Sequence, residues 1–466
     1  MRSRISQLLA LTGAASTISS VNAVNVPRDL SLSRRANSNT TSHEIKLHST
    51  LYGSRFFAPV TIGGQEFSLL VDTGSSDLFV IEEDFECLDV DSSGQQYEEV
   101  SQSECGYNSA AYSLNSSSTY QGISNESFLA AYGAGVANGL MAYEDIEVGG
   151  VTVTHQRFGL VNVSTVMQLG GSGVMGLAYP IITSAYENNG TLDEEDQEPY
   201  SPLFVSMARR GLVDPYFSLA FDRLESGQET GDGGVMVLGG VADVSTKGNW
   251  TTVPAEIYED ADLRAKNGSE VRSYWATTVQ KVAYGDGDDS GEYTDSYQTI
   301  VDSGAPLTYV PRKVADAWNA LFDTPGQWSS VQQGYFVNCD DEVPPFSVQL
   351  GGKTFTLDSR DLVLHTGEEY AGVEICISGV TRGQEMQVGE ETDDTVELYI
   401  LGAGFLKSVV AVFDFGKSEM RFAERGEEDS DSDSDDGDNA AGALNVLASS
   451  KMVMLLAAVV VFQGLI

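Results

Sequence analysis

Val71-Asp72-Thr73-Gly74-Ser75-Ser76 follows the apolar run Phe67-Ser68-Leu69-Leu70, and Val301-Asp302-Ser303-Gly304-Ala305 follows Tyr297-Gln298-Thr299-Ile300. Each stretch places one carboxylate where a strand-like run breaks into a turn, a position that favours Asp and Gly. A single Asp-Thr-Gly is common in turns. The second copy gives it weight, because each has a later apolar-apolar-Gly, Val174-Met175-Gly176 and Ile400-Leu401-Gly402. Gly176 lies 104 residues after Asp72, and Gly402 lies 100 after Asp302. Two matched motifs at nearly equal spacing predict two related lobes, each offering one Asp at a strand-to-turn junction.

Around this pattern the composition narrows the choices. The chain has 466 residues, with 48 Gly, 20 Tyr and 19 Phe, which favours many short strands and turns over long helices. Asp and Glu number 68 against 26 Lys and Arg, a net charge of −42. Nucleic-acid binding is excluded as the main role, since it relies on cations that neutralise phosphates. The four His and four Cys are scattered, with no HExxH or CxxC, so no metal and no cofactor are expected. A serine hydrolase would need a G-x-S-x-G and a His partner, and neither is evident.

The chain resembles the pepsin family of aspartic endopeptidases over about residues 45–423. The stretches that carry the likeness are VDTGSSDLFV, AAYGAG (Ala130–Gly135), GVMGLAYP (Gly173–Pro180), SYWATTV (Ser273–Val279), IVDSGAPLTYVP, and YILGAGF followed by VFDF. The resemblance implies an all-β, bilobal fold whose lobes are related by a pseudo-two-fold axis, with a cleft between them. It also implies an enzyme that hydrolyses peptide bonds in proteins at acidic pH, with Asp72 and Asp302 as the catalytic pair holding the attacking water. Two carboxyls sharing one proton can serve as base and acid in turn. Thr73 and Ser303 are expected to interlock the two loops. Gly74 and Gly304 supply turns whose N–H groups reach the carboxylates, and Ser75 donates to the outer oxygen of Asp72. Tyr132 and Gly133 match the flap, a hairpin over the cleft.

Three positions depart from the family pattern. Ala305 stands where a Ser or Thr is usual, so the outer oxygen of Asp302 is expected to lack a hydroxyl donor. Phe79 occupies the usual Trp position beside the flap tyrosine, and Ala403 replaces an Asp after Ile-Leu-Gly. The four cysteines allow three pairings; the resemblance implies Cys87–Cys105 and Cys339–Cys376, one bridge after each Asp motif. The first of these loops carries Asp89, Asp91, Glu98, Glu99 and Glu104, which would attract basic side chains.

The ends read as processing signals. Residues 1–23 have the charge and apolar run of a secretory signal, and 24–35 form a propeptide ending at Arg34-Arg35. The N-terminal lobe is expected over 36–215 and the C-terminal lobe over 216–423. Residues 424–439 form an acidic stem, and 440–466 a glycosylphosphatidylinositol-attachment signal, with Asn439 the attachment residue. Together these features look like the fungal cell-surface members called yapsins. Glycan acceptors are Asn39, Asn115, Asn125, Asn162, Asn189, Asn249 and Asn267. The expected partners are protein and peptide substrates and a membrane reached through the lipid anchor, with a monomer the default state. The competing reading is a catalytically silent surface protein of the same fold that binds peptide or glycan.

Overall fold

The computed structural model describes residues 41–426 together with Ala23–Val24, apart from 91–96, 108–109, 134, 166–169, 188–195, 226, 260–263, 266–268, 331, 371–372 and 388–394. Apart from Ala23 and Val24, the signal and the propeptide lie outside the described residues, as do nearly all of the stem, the anchor signal, Asn39, Asn189, Asn267 and Asn439. No helix among the described residues is long and apolar enough to cross a membrane.

The architecture is the expected all-β one. Strand His43–Thr50 pairs on one side with Arg55–Ile62 and on the other with Gly231–Leu238. Segments from either side of residue 215 thus share one sheet. It continues through Tyr216–Phe221, Val409–Asp414 and Glu419–Arg425. The last strand therefore enters the stretch read as stem, because Glu424 pairs opposite Val409 and Arg425 is tied to Asp222. Alternating burial in strands such as His43–Thr50 directs one face to the core and the other to solvent.

The repeated motif has a structural counterpart in each half. Gly173–Gly176 lies parallel to the strand Gln65–Asp72, with Gly176 opposite Asp72. In the second half Ile400–Leu401 lies parallel to Tyr297–Val301, with Leu401 opposite Val301. The glycine closing each motif is forced by close approach: a Cβ on Gly176 would meet the Ser76 carbonyl carbon at 2.5 Å. One on Gly402 would meet the Leu307 oxygen at 2.1 Å. The halves are further joined by Trp275, whose indole donates to the Leu177 carbonyl (3.0 Å) and packs on Tyr179 and Phe415. The helices are short: Arg312–Asn319 buries Val314, Ala315, Trp318 and Asn319 on one side, whereas Leu203–Arg209 and Ala403–Leu406 are largely buried, against the expectation of peripheral helices.

Both bridges take the expected pairing, Cys87–Cys105 and Cys339–Cys376, closing separations of 18 and 37 residues. Replacing Cys339 and Cys376 together by Ser should lower the unfolding free energy by roughly 3–4 kcal/mol on chain entropy alone. Urea titration reads this directly, and an unchanged midpoint would mean that the loop is held by packing instead.

Candidate active site

The strands Gln65–Asp72 and Tyr297–Val301 end side by side, and their turns meet. The Thr73 N–H donates to the Ser303 hydroxyl (3.0 Å) and the Ser303 N–H to the Thr73 hydroxyl (2.9 Å). Each hydroxyl passes its own proton across, Thr73 to the Val301 carbonyl (2.8 Å) and Ser303 to that of Val71 (2.7 Å). Hydroxyl residues are required here because each accepts one bond and donates another. The predicted interlock of the two loops is present.

Within each turn the backbone reaches the carboxyl. The Gly74 N–H donates to Asp72 Oδ1 (2.9 Å) and the Gly304 N–H to Asp302 Oδ1 (2.7 Å). Gly74 has a second constraint, since a Cβ there would lie 2.4 Å from the Asp302 carboxyl carbon. Ser75 donates to Asp72 Oδ2, as expected. The corresponding oxygen of Asp302, Oδ2, is buried without a hydrogen-bond partner, because the methyl of Ala305 stands where a hydroxyl is usual. Asp72 and Asp302 are both fully buried and within hydrogen-bonding reach of each other. Burial pushes both carboxyls up, and the negative charge of Asp72 raises Asp302 further. A buried pair of this kind holds on to one proton into mild acid.

Over this floor the strands Gln121–Tyr132 and Gly135–Val148 form a hairpin, with Tyr132 opposite Gly135 and Gly133 in the turn. Tyr132 is buried at the tip, its ring centroid 5.9 Å from that of Phe79. Its hydroxyl lies near Ser75 but makes no well-formed hydrogen bond among the described residues, and Phe79 has no N–H to offer it. Ala403 begins the buried helix Ala403–Leu406, its N–H donating to the Ala305 carbonyl (2.7 Å).

Two buried charges at this site were not singled out from sequence. Asp77 belongs to the quoted motif, yet its tertiary role is invisible there. It accepts from the Ser184 N–H (2.9 Å) and the Tyr200 hydroxyl (2.7 Å), below the flap tyrosine. Arg55, the first residue of an apolar strand, is buried behind the second turn and donates to the Gly304 carbonyl. The one available signal was a cation opening the otherwise apolar run Arg55-Phe56-Phe57-Ala58. Elsewhere, donor atoms of Cys339, His365, Glu374 and Cys376 gather within 4.8 Å, but the two sulfurs are bonded to each other, leaving too few donors for a metal centre.

Comparison with known proteins agrees with this geometry. The family model described as eukaryotic aspartyl protease matches residues 55–425. A probable aspartic-type endopeptidase of Aspergillus fumigatus is 34% identical over 391 residues, covering 83% of this chain and 82% of that protein. Human gastricsin is 27% identical over 379 residues, covering 79% and 81%. In fold, the chain is similar to the crystal structure of an aspartic proteinase from Irpex lacteus. That match has a TM-score of 0.60 and 16% identity, and it covers 83% of this chain and 98% of that one.

Two predictions follow from the buried carboxyls. Burial pushes Asp77 up to about 6, so the folded protein binds a proton that the unfolded chain releases near 3.8. The associated stability is full below the lower value and is lost as pH rises through the upper one. Asp358, held down to about 2 mainly by Arg360, acts in the opposite sense and only in stronger acid. Thermal midpoints should therefore be higher at pH 4.5 than at pH 7.5, and Asp77→Asn should shrink that difference; a midpoint rising steadily from pH 4 to 8 would contradict the assignment. Separately, Ala305→Ser should give Asp302 Oδ2 a donor and lower the acidic limb of the pH–rate profile by about one unit. An unmoved limb would show that this oxygen is satisfied in another way.

Proposed function

The chain belongs to the eukaryotic aspartyl protease family, and from there we propose a secreted, surface-anchored endopeptidase in which Asp72 and Asp302 together activate one water. Hydrolysis of peptide bonds in protein substrates comes with the family. The observation that carries the two-Asp reading is the mutual grip of the turns, which leaves two buried carboxyls facing each other; two like charges so close favour a shared single proton.

In this reading the pair holds a water between its inner oxygens. One carboxylate takes a proton from the water as its oxygen attacks the scissile carbonyl carbon, while the other carboxyl gives its proton to the carbonyl oxygen. On collapse of the gem-diol intermediate the C–N bond breaks, and the protonated carboxyl gives its proton to the departing amine nitrogen. One of the two diol hydroxyls returns its proton to the other carboxylate, so the pair ends with the single proton it began with. The titration belongs to the pair, so base and acid are not assigned to separate residues. Thr73, Ser303, Gly74, Gly304 and Ser75 hold the carboxyls in place, and Tyr132 with Gly133 closes the hairpin over bound substrate and excludes water.

The rest of the proposal concerns the route to the surface. Residues 1–23 direct secretion, cleavage after Arg35 releases the enzyme from its propeptide, and lipid attachment at Asn439 follows removal of the apolar tail. The two lobes are assigned to 36–215 and to 216 onward, the second bound moved from 423 to 425 to keep the strand Glu419–Arg425 whole. Exposure of Asn115, Asn125 and Asn249 suits glycan attachment there.

The test incubates residues 36–438 with a diverse peptide pool from pH 3 to 7 and maps every cut by mass spectrometry, with a statin-type inhibitor as control. Asp72→Asn and Asp302→Asn should each lower turnover by about a thousandfold or more. A folded wild-type protein that makes no inhibitor-sensitive cuts would instead favour a silent peptide- or glycan-binding cleft.

A further inference from the structure

Arg55 is 2% exposed, an unusual state for a residue that remains charged at every working pH. Its guanidinium donates to the carbonyl of Gly304, the residue whose N–H holds Asp302 Oδ1. Its own carbonyl accepts from the Ser49 hydroxyl (3.0 Å), which fixes the strand from which it projects. The titratable groups that act on it are Tyr309, Asp302 and Asp72. Tyrosine is neutral in acid, so the carboxyl pair supplies the negative charge.

A buried cation without a counter-charge is strongly disfavoured. With one proton on the pair, Arg55 and the pair sum to zero. A second proton would leave the guanidinium bare, so its presence penalises the doubly protonated state. The other groups around the pair do not duplicate this effect. Ser75 is a neutral donor to Asp72, and Tyr132 faces Asp72 and Asp77 with an uncharged hydroxyl. Asp77, when ionised, would push the other way. Asp302 Oδ2 lacks any donor, so the carboxyl without hydroxyl support is the one whose turn Arg55 holds.

We propose that Arg55 is a positioning residue of the carboxyl pair, clamping the Gly304 turn and supplying the buried positive charge that keeps the pair singly ionised in acid. The inference rests on the two-Asp reading above. Its test compares wild type with Arg55→Gln, which keeps a donor but loses the charge, and Arg55→Lys, which keeps the charge. The readouts are kcat/KM from pH 2.5 to 7 on a fluorogenic peptide and, independently of turnover, statin binding over the same range by calorimetry.

In Arg55→Gln the acidic limb should move up by about 1–2 pH units, and Arg55→Lys should bring it back towards wild type. The statin affinity profile should move in the same way. A wild-type profile in Arg55→Gln, or a loss of rate equal at every pH, overturns the charge role. Should Arg55→Gln fail to fold, a shifted limb in a folded Arg55→Lys would overturn it, and an unshifted one would support it. Asp302→Asn run alongside separates the two ideas: its inactivity leaves any failure with Arg55 alone, whereas its activity would remove the two-Asp reading itself.

Discussion

Two hydroxyls, on Thr73 and Ser303, hold the centre of this protein together. They lie 230 residues apart, and each accepts from the other's turn while donating to the strand behind it. The four residues that make these bonds, Val71, Thr73, Val301 and Ser303, are all buried, so no group can give up its partner without being left an unsatisfied donor or acceptor. The turns therefore move as one body, and the carboxyls they carry stay at a fixed separation. Glycine at 74 follows from this approach, because the neighbouring Asp302 carboxyl occupies the space a side chain would take.

Holding two carboxyls so close in a dry site has an electrostatic consequence that reaches beyond them. Asp72, Asp77 and Asp302 are all buried, and burial favours their neutral forms. A protein in which these three buried acids prefer to be protonated, and which carries 68 acidic residues in all, is better suited to mild acid than to neutral solution. Arg55 works against that tendency at one place, where a negative charge has to persist. Chemistry and stability thus depend on the same charges, with opposite demands on the central pair.

The flap illustrates how one substitution spreads. With Phe at position 79 the ring beneath Tyr132 offers no hydrogen-bond donor, and Phe79 in turn packs on Phe128 with ring centroids 5.7 Å apart. The tyrosine is held there by packing, its hydroxyl near Ser75 but without a well-formed hydrogen bond among the described residues. Ala305 has a parallel effect at the second turn, removing a donor and leaving a carboxyl oxygen alone. Both sites have lost a directional contact and kept the apolar one.

Much of this was legible in the residues themselves. The doubled Asp-Thr/Ser-Gly, each with its apolar-apolar-Gly about a hundred residues later, pointed to two related lobes, and the family resemblance these motifs carry implied the all-β class. The strand-to-turn junctions were readable because turn chemistry and strand alternation are local properties of the chain. The same motifs marked Asp72, Asp302, Thr73, Ser303 and both glycines. What only the tertiary structure decided is how charges meet once water is removed. Asp77 and Tyr200 are 123 residues apart, and Arg55 and Gly304 are 249 apart. Burial and partnership are properties of the packed whole, and no local pattern at Arg55 or Asp77 specifies which groups will face it in a low-dielectric interior.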